Sequence, residues 1–317
     1  MGGMAAKRFL AIGECMIEMA SADGALWRLG YAGDTLNLLW YARACLDPAQ
    51  WRTDYFTCLG KDQHSAAMRA FMQDNGIETG HVRIIADRRP GLYLIHQQDG
   101  DRHFTYWRDN SAAKLLADDE DALERTLAQS DAIAFSGITL AILSPDRRAA
   151  LLALLGAARG KGRRVAFDPN YRPLLWPDAG TAREAIMAAA AVSDILLPTF
   201  DDDKALFGDA NRKATAARYL AAGACEVVVK DGARPALVAG GGETGDVPAL
   251  SVGEPVDATG AGDSFNGAYL AARLRDCPVA EAAAAGHAVA GQVIRHRGAL
   301  IPMGEVKTPF PRVNANT

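Results

Sequence analysis

The sequence has no apolar run long enough to cross a membrane and no strong excess of charge of either sign. A membrane-spanning helix needs about 18 or more consecutive apolar residues, and the 317-residue chain contains no such run. Its 34 Lys and Arg side chains nearly balance its 38 Asp and Glu side chains, leaving a formal net charge of −4. These absences argue against a membrane protein and against nucleic acid as the main partner.

Cysteine is scarce and widely spaced. The five residues are Cys15, Cys45, Cys58, Cys225 and Cys277. The sequence contains no Cys-x-x-Cys pair and no His-Glu-x-x-His motif, so neither a disulfide framework nor a zinc site is indicated. We therefore expect buried thiols and a cytoplasmic location, where thiols stay reduced.

Two common phosphate-binding motifs are incomplete in the stretch Gly260-Ala261-Gly262-Asp263. It is not a Walker loop, because no Gly-Lys-Ser or Gly-Lys-Thr follows it. It also lacks the third glycine of the dinucleotide fingerprint, which makes a dinucleotide oxidoreductase a poor interpretation.

The same stretch nevertheless predicts an anion site. Its two glycines allow a tight turn, and an apolar helical run follows from Phe265 to Leu274. Backbone N–H groups at such a turn face the positive end of the helix dipole, which suits a phosphate. Asp263 would repel phosphate but could accept a proton from an attacking hydroxyl, so the pattern favours phosphoryl transfer. The alternative is a simple turn in which Asp263 only caps the helix.

Strand-like segments alternate with helical ones along most of the chain. The predicted strands are 8–13, 53–60, 131–136, 163–168, 194–198 and 225–230. This alternation predicts a parallel sheet covered by helices on both faces. In such sheets ligands bind beyond the carboxyl ends of the strands, where Asp168, Thr199, Lys230 and Gly232 fall.

Three strands do not fit the alternation and predict a small antiparallel sheet that projects as a lid. They are 15–19, 91–97 and 102–107, the last two joined through Asp99-Gly100, a strong hairpin signal. We expect lid strands from about 14–32 and 91–108, within a single domain spanning residues 1–317. An exposed edge of this lid would favour a homo-oligomer.

The lid also carries a candidate substrate site. A registered hairpin would bring Tyr93 and Tyr106 to one face, and Arg108 would point the same way as Tyr106. Arg172 follows a predicted strand end at the same rim. Two arginines over one site suit a carboxylate, although Tyr-x-Arg on a half-buried strand is also compatible with surface packing.

Residues 257–267, Asp-Ala-Thr-Gly-Ala-Gly-Asp-Ser-Phe-Asn-Gly, resemble the C-terminal signature of the ribokinase/PfkB family of sugar kinases. The resemblance implies an α/β fold with three layers, a ribokinase-like domain with a mainly parallel central sheet, and the use of ATP with Mg²⁺. It implies that Asp263 is the catalytic base. It further implies that Gly260, Ala261 and Gly262 hold the transferring phosphate.

Three further segments resemble one branch of that family, the kinases of 2-keto-3-deoxygluconate: residues 13–18, 31–37 and 197–202. This resemblance implies phosphorylation of the C6 hydroxyl of a sugar acid, derived from either gluconate or galactonate. The implied substrate residues are Gly33, Asp34, Asn37, Tyr93, Tyr106, Arg108 and Arg172. Ala32 replaces the usual first glycine before Gly33, and Asp34 taken alone suits a helix N-cap. A kinase of a neutral sugar such as fructose or ribose, and a non-catalytic sensor, are the alternatives.

The nucleotide side departs from the family pattern. Thr199-Phe200-Asp201-Asp202 stands where Asn-x-x-Glu is usual, so Asp202 is the candidate for magnesium, and the alternative is a solvated helix start. The turn after Lys230 lacks the second glycine of the usual Gly-x-x-Gly. The candidate ATP contacts are Thr199, Lys230, Gly232, Gly260, Gly262 and His287. A lone histidine on an alanine-rich helix is also compatible with packing.

Overall fold

The computed structural model describes residues 5–22, 25–98, 101–240, 242–308 and 310. The described strands are β1 (Lys7–Ile12), β2 (Met16–Ser21), β3 (Trp27–Ala32), β4 (Trp51–Phe56), β5 (Cys58–Leu59), β6 (Ile77–Glu78), β7 (Arg83–Ile84), β8 (Leu92–Gln98), β9 (Asp101–Trp107), β10 (Ala132–Ser136), β11 (Arg164–Asp168), β12 (Ile195–Leu196), β13 (Glu226–Asp231), β14 (Arg234–Gly240) and β15 (Glu243–Val247).

The helices lie mostly between these strands. They are α1 (Asp34–Cys45), α2 (Gln63–Asp74), α3 (Glu120–Gln129), α4 (Gly137–Ala141), α5 (Pro145–Gly160), α6 (Ala179–Ala191), α7 (Phe200–Phe207), α8 (Arg212–Ala221), α9 (Ala261–Leu274) and α10 (Val279–Val293). Short 3-10 turns occur at Ala112–Leu115, Pro173–Leu175 and Met303–Glu305. Within the described ranges, no helix has the length and apolar content needed to cross a membrane.

A large sheet forms the centre of the described structure, with the strand order β15-β14-β13-β12-β11-β10-β1-β4-β6. Every pair from β13 to β6 is parallel, whereas β14 and β15 add antiparallel pairs at one edge. The parallel order brings the carboxyl ends of β1, β10, β11, β12 and β13 to the same side of the sheet. Their neighbouring loops therefore meet along one rim.

Alternating side chains of the strands fill two separate hydrophobic cores. Phe9 and Ala11 of β1 belong to the core under α1, α2, α9 and α10. Leu10 and Ile12 belong to the other core, under α3 to α8. Strands that are buried on both faces have continuous apolar sequences, without the alternation of apolar and polar residues seen in strands with one exposed face. The predicted α/β fold with helices on both faces of a mainly parallel sheet is confirmed.

Some boundaries differ from the prediction for local reasons. The predicted strand 53–60 divides into β4 and β5, and the predicted strand 194–198 shortens to two residues. Strands β14 and β15 and helix α3 were not predicted. Strand β15 has the sequence Glu-Thr-Gly-Asp-Val, in which most side chains are polar or absent, so the sequence lacks the apolar pattern of a strand. Such a composition is compatible with its position at the edge of the sheet. Helix α9 begins at Ala261, four residues before the predicted start, because the glycine-rich stretch itself forms its first turn.

The predicted lid is a second sheet with the order β3-β2-β8-β9. The pairs β2–β3 and β8–β9 are antiparallel, and these two hairpins join through a parallel pairing of β2 with β8. The predicted hairpin turn at Asp99-Gly100 lies outside the described residues. The first hairpin follows β1 and the second precedes β10, so both enter the lid from the rim where the parallel strands end.

The cysteines follow the prediction in part. All five are free thiols, and Cys15, Cys45 and Cys58 are buried. Cys225 is exposed and Cys277 is half-buried, so the expectation of burial is wrong for these two. Both lie at the ends of elements, just before β13 and just after α9, where side chains are less enclosed than within the sheet.

Candidate active site

A cavity of about 470 Å³ lies between the lid and the rim of the large sheet. Its walls come from the segment between β1 and β2, the start of α1, strands β8 and β9, and the glycine-rich stretch before α9. All seven predicted substrate residues line it: Gly33, Asp34, Asn37, Tyr93, Tyr106, Arg108 and Arg172. The fold therefore brings together positions that are scattered over 140 residues of sequence.

A second cavity of about 640 Å³ adjoins the first. Thr199, Lys230 and Gly262 line the second cavity, whereas Gly260 and Asp263 line both. Asp263 thus lies at the boundary between a cavity under the lid and a cavity around the glycine-rich stretch. This arrangement would let Asp263 contact reacting groups that enter from the two sides.

The two predicted lid tyrosines form a direct cross-strand pair. Tyr93 of β8 is registered opposite Tyr106 of β9, and their ring centroids are 5.9 Å apart. Phe104 stacks on Tyr106 with its centroid 6.2 Å away. The Tyr93 hydroxyl donates to the Glu18 carboxylate. The expectation that a registered hairpin brings both tyrosines to one face is confirmed, and this face forms an aromatic wall of the first cavity.

Each of the two predicted arginines already pairs with a carboxylate of the protein. Arg108 Nη2 donates to Glu14 Oε2, and both side chains are nearly buried. Arg172 Nη1 donates to Asp202 Oδ2 at 3.1 Å and to the Tyr171 carbonyl oxygen at 2.8 Å. Arg172 is half exposed, so this second pair is open to exchange with a ligand. Asp202, the predicted magnesium residue, is therefore engaged by a predicted substrate residue.

The start of α1 differs from the simple capping interpretation. Gly33, not Asp34, is the N-cap, and a Cβ at Gly33 would lie 2.1 Å from the Glu14 carbonyl oxygen. Asp34 accepts instead from Asn170 Nδ2 at 2.9 Å. Burial raises the pKa of Asp34. The absence of a side chain at position 33 lets α1 approach the end of β1 and aims Asp34 into the cavity.

The N-cap of α9 is Gly260, and the backbone conformation at this position favours glycine. Gly260 has φ +75°, and a Cβ there would lie 2.7 Å from the Ala299 carbonyl oxygen. Asp257 holds the stretch on both sides, accepting from the amides of Thr259 at 2.9 Å and Gly298 at 2.6 Å. The Ala261 amide donates to the Ala258 carbonyl oxygen at 3.2 Å. Of the three residues predicted to hold a phosphate, Ala261 thus already has a backbone partner for its amide.

Asp263 does not cap its own helix. No side-chain capping bond is present at the start of α9, and the Asp263 carboxylate accepts from Asn37 Nδ2 at 2.8 Å. Burial, together with the charges of Asp34 and Asp168, raises the pKa of Asp263 to about 7, although the Asn37 hydrogen bond opposes this. Burial therefore disfavours the charged form of this carboxylate, whereas its position at a helix N-terminus favours that form. A pKa near neutrality is typical of a general base.

Lys230 lies beneath the glycine-rich stretch in a buried polar network. Its Nζ donates to Asp168 Oδ2 at 2.9 Å and to Asn266 Oδ1 at 3.0 Å. A Cβ at Gly262 would lie 3.7 Å from this Nζ, so the ammonium group is close to the predicted phosphate position. Sequence reasoning assigned no role to Asp168 or Asn266. For Asp168, the available signal was its position at the end of β11. For Asn266, the signal was its spacing of three residues from Asp263, which places these two side chains on neighbouring turns of α9.

Four predicted residues do not line either cavity, and one of them is Ala261, whose amide is bound to Ala258. Gly232 lies in the tight turn between β13 and β14 with φ +59°. His287 is buried and packs edge-to-face on Phe265, with ring centroids 5.0 Å apart. Asp202 lies at the edge, bound to Arg172. The packing interpretation of His287 is therefore the one supported by its contacts.

The residues around the second cavity fit a nucleotide that brings its own magnesium ion. Among the described residues, no cluster of three or more His, Cys, Asp or Glu side chains could hold a metal. Mg²⁺ is commonly bound by one or two carboxylates together with substrate phosphates, rather than by a complete protein cage. Of the carboxylates that line the second cavity, Asp168 pairs with Lys230, and Asp202 lies at its edge, paired with Arg172. The donor set thus suits a metal held partly by phosphates.

The mainly parallel sheet, the lid and the glycine-rich start of α9 define a ribokinase-like fold with a site for a small molecule and a phosphate donor. Residues 6–305 match the pfkB family of carbohydrate kinases, and the chain belongs to that family. It is an ATP-dependent sugar kinase, and kinases of this family use ATP with Mg²⁺, as the sequence predicted.

Individual relatives agree with this assignment. The chain is 41% identical over 306 residues to the 2-dehydro-3-deoxygluconokinase of Dickeya dadantii, covering 95% of this chain and 98% of the relative. A PfkB protein of Polaromonas sp. JS666 superposes with a TM-score of 0.80 at 28% identity, covering 92% and 96% of the two chains. A ribokinase II from Escherichia coli, solved with ATP and Mg²⁺, has a TM-score of 0.82 at 22% identity, covering 95% and 96%.

Proposed function

We propose that this protein transfers the γ-phosphoryl group of ATP to the C6 hydroxyl of 2-keto-3-deoxygluconate, with Asp263 as the general base. The observation that carries the proposal is the position of Asp263 on the boundary of the two cavities. Its relatives named 2-dehydro-3-deoxygluconokinase, which are 41% identical over most of the chain, support the choice of substrate.

The sugar acid would occupy the first cavity. Tyr93 and Tyr106 offer an aromatic wall with hydroxyl groups, and Arg108 and Arg172 offer positive charge to its carboxylate. Asp34 and Asn37 also line this cavity, with Asn37 bound to Asp263, and would bind hydroxyl groups. Such an orientation would direct the carboxylate toward the lid and the terminal hydroxyl toward Asp263.

The phosphates would occupy the second cavity. Gly262 and Gly260 leave the approach to the start of α9 free of side chains, and the first amides of a helix have no partner within it. Lys230 would add a positive charge below them. Asp202, with Asp168 nearby, would hold Mg²⁺ together with the phosphates, and this ion would neutralise charge on the transferring group. Thr199 and Gly232 remain candidate nucleotide contacts, whereas the packing of His287 gives no support for a contact.

In this mechanism Asp263 accepts the proton of the C6 hydroxyl as its oxygen attacks the γ-phosphorus. The bond between that phosphorus and the ADP oxygen breaks, giving ADP and the sugar-acid 6-phosphate. Because the pKa of Asp263 is about 7, a large fraction of the molecules carries the unprotonated carboxylate at neutral pH. Positioning of the two substrates and neutralisation of charge would supply the rest of the rate enhancement.

We also propose that residues 1–317 act as a single domain and that a second copy covers the outer face of the lid. Trp107 and Leu29 lie on the face opposite Tyr106 and are 65% and 45% exposed. Large exposed apolar side chains on a small sheet favour association. A single monomer mass in solution at all concentrations would contradict this part of the proposal.

The substrate is tested by measuring ATP-dependent phosphorylation of 2-keto-3-deoxygluconate beside fructose and ribose, and by locating the phosphate on the product. We expect the sugar acid to have a kcat/KM at least about tenfold above either neutral sugar, since a carboxylate pair is worth more than 1.4 kcal/mol. Equal values for all three would favour a kinase of neutral sugars. Binding without turnover would favour a sensor.

A further inference from the structure

We propose that Glu14 is a positioning residue that holds Arg108 in place for the sugar acid. This inference rests on the proposed function, in which the first cavity binds a carboxylate. Glu14 lies in the short segment between β1 and β2, and Arg108 directly follows β9. The two residues therefore meet at the base of the lid, where the lid strands leave the large sheet.

Both carboxylate oxygens of Glu14 are bound. Oε2 accepts from Arg108 Nη2, and Oε1 accepts from the Ser111 hydroxyl. The Glu14 side chain is 2% exposed and that of Arg108 is 10% exposed. A buried charge needs a partner of opposite sign and bound lone pairs. Glu14 satisfies both conditions, so its position is determined by two contacts that come from the segment after β9.

The start of β8 is shaped around this pair. A Cβ at Gly91 would lie 2.7 Å from Glu14 Oε1 and 3.2 Å from Arg108 Cβ. The backbone of Gly91 is not in the left-handed region, so the requirement at this position is space rather than conformation. A residue without a side chain at the beginning of β8 thus leaves room for the ion pair.

The ion pair has a consequence for ligand binding. Arg108 lines the first cavity, and its Nε is buried without a hydrogen-bond partner among the described residues. The bond from Nη2 to Glu14 therefore orients the guanidinium group. An arginine that is already held loses less conformational freedom when a ligand binds than one that must be ordered first. Glu14 acts on the substrate through Arg108 and need not contact the reacting atoms.

A double-variant cycle separates this role from a purely structural one. Replacing either partner alone leaves the other charge buried and unpaired, which destabilises proteins, so the melting temperature of each single variant is measured beside its kinetics. The cycle uses Glu14→Gln, which keeps an acceptor for Ser111, Arg108→Met, which keeps the length of the side chain, and the double variant, which removes both charges. Glu18→Gln, alone and combined with Arg108→Met, is the matched control, because Glu18 binds Tyr93 on the same lid instead of Arg108.

We expect Glu14→Gln and Arg108→Met each to raise the KM for 2-keto-3-deoxygluconate by about tenfold with kcat within about threefold. The double variant is expected to show the same rise as Arg108→Met alone, because Glu14 has no further effect once Arg108 is gone. In the control, the effects of Glu18→Gln and Arg108→Met on KM are expected to multiply when the two changes are combined. Thermal melts of all five variants report whether each one is folded under the assay conditions.

If the effects of Glu14→Gln and Arg108→Met multiplied, the double variant would show roughly a hundredfold rise in KM, and the inference would be overturned. So would a loss confined to kcat, or an unchanged KM for Glu14→Gln. If the unaltered protein did not phosphorylate the sugar acid at all, the proposed function would fail and this inference with it. Turnover of the acid by the unaltered protein, together with multiplied effects, would overturn this inference alone.

Discussion

Asn37 donates from its Nδ2 to the carboxylate of Asp263 at 2.8 Å, although the two residues are 226 positions apart in the chain. Asn37 lies in the first turn of α1 and Asp263 in the first turn of α9, and these two helices pack closely. A hydrogen bond to a carboxylate favours its charged form. Asn37 therefore lowers the pKa of a carboxylate whose burial raises it.

The first prediction concerns the pH dependence of the unaltered enzyme. A base must be unprotonated to accept a proton, so kcat/KM for the sugar acid is expected to rise with pH and to level off above the pKa of Asp263, about 7. The measurement is kcat/KM between pH 5 and 9 at saturating magnesium and ATP. A rate that is flat from pH 5.5 to 8.5 would argue against this assignment of the base.

Removing the Asn37 hydrogen bond should shift this profile. In Asn37→Ala the carboxylate of Asp263 loses the bond that lowers its pKa, so the midpoint of the rise in kcat/KM is expected to move to higher pH. The same series of rates at different pH values measures this shift. Asn75→Ala, at the end of α2 and away from both cavities, is the control and should leave the midpoint unchanged. A downward shift in Asn37→Ala would contradict the account.

The stability of the fold should depend on the charge of Asp263. The folded state raises the pKa of Asp263 from 3.8 to about 7, so it holds the proton where the unfolded chain releases it. The resulting loss of stability is absent below about pH 4, grows between pH 4 and 7 and is complete above pH 7. Asp263→Asn cannot ionise, and its Tm at pH 8 should exceed that of the parent by roughly 2 °C or more, since 1 kcal/mol is worth about 2–4 °C in larger domains.

The control for that measurement is Asp201→Asn, because Asp201 is an exposed carboxylate on α7. Its Tm should match that of the parent within error at both pH 5 and pH 8. The gain from Asp263→Asn should be smaller at pH 5 than at pH 8. A gain that does not depend on pH would mean that packing, and not charge, is responsible.

The glycine at the start of α9 should be irreplaceable. Gly260→Ala places a side chain at φ +75°, where an L-residue costs about 1–2 kcal/mol, and directs the new methyl group toward the Ala299 carbonyl oxygen. We expect a lower Tm and a fall in kcat of about tenfold or more, because displacement of a positioned phosphate by about 1 Å is costly. Kinetics and thermal melts of Gly260→Ala beside Ala261→Gly test this. Equal activity of the two variants would contradict it.

The sequence predicted the parts of this structure that depend on local pattern. The alternation of strands and helices gave the parallel sheet, and the two-residue period of β8 and β9 gave the pairing of Tyr93 with Tyr106. The edge strand β15 was missed and the internal strand β12 was predicted too long, because pairing partners rather than local propensity determine where strands begin and end.

Contacts between distant segments could not be read from the same patterns. Glu14 stands in a short polar interruption after a strand, and nothing in its neighbours indicates that Arg108 meets it at the base of the lid. The pKa of Asp263 depends on burial and on Asp34, both of which result from packing. The position of Asp263 at a helix N-terminus is visible in the sequence, and it favours the charged form, whereas burial favours the neutral one.

The most direct test of the account compares binding with turnover in Asp263→Asn. Calorimetry is expected to show that the variant binds 2-keto-3-deoxygluconate and ATP with Mg²⁺ within about threefold of the parent, since the side chain keeps its shape, whereas kcat falls by about 10²–10⁴. That result would establish Asp263 as the base between two intact binding cavities. Turnover within threefold of the parent would show that another group accepts the proton, and the mechanism proposed here would be wrong.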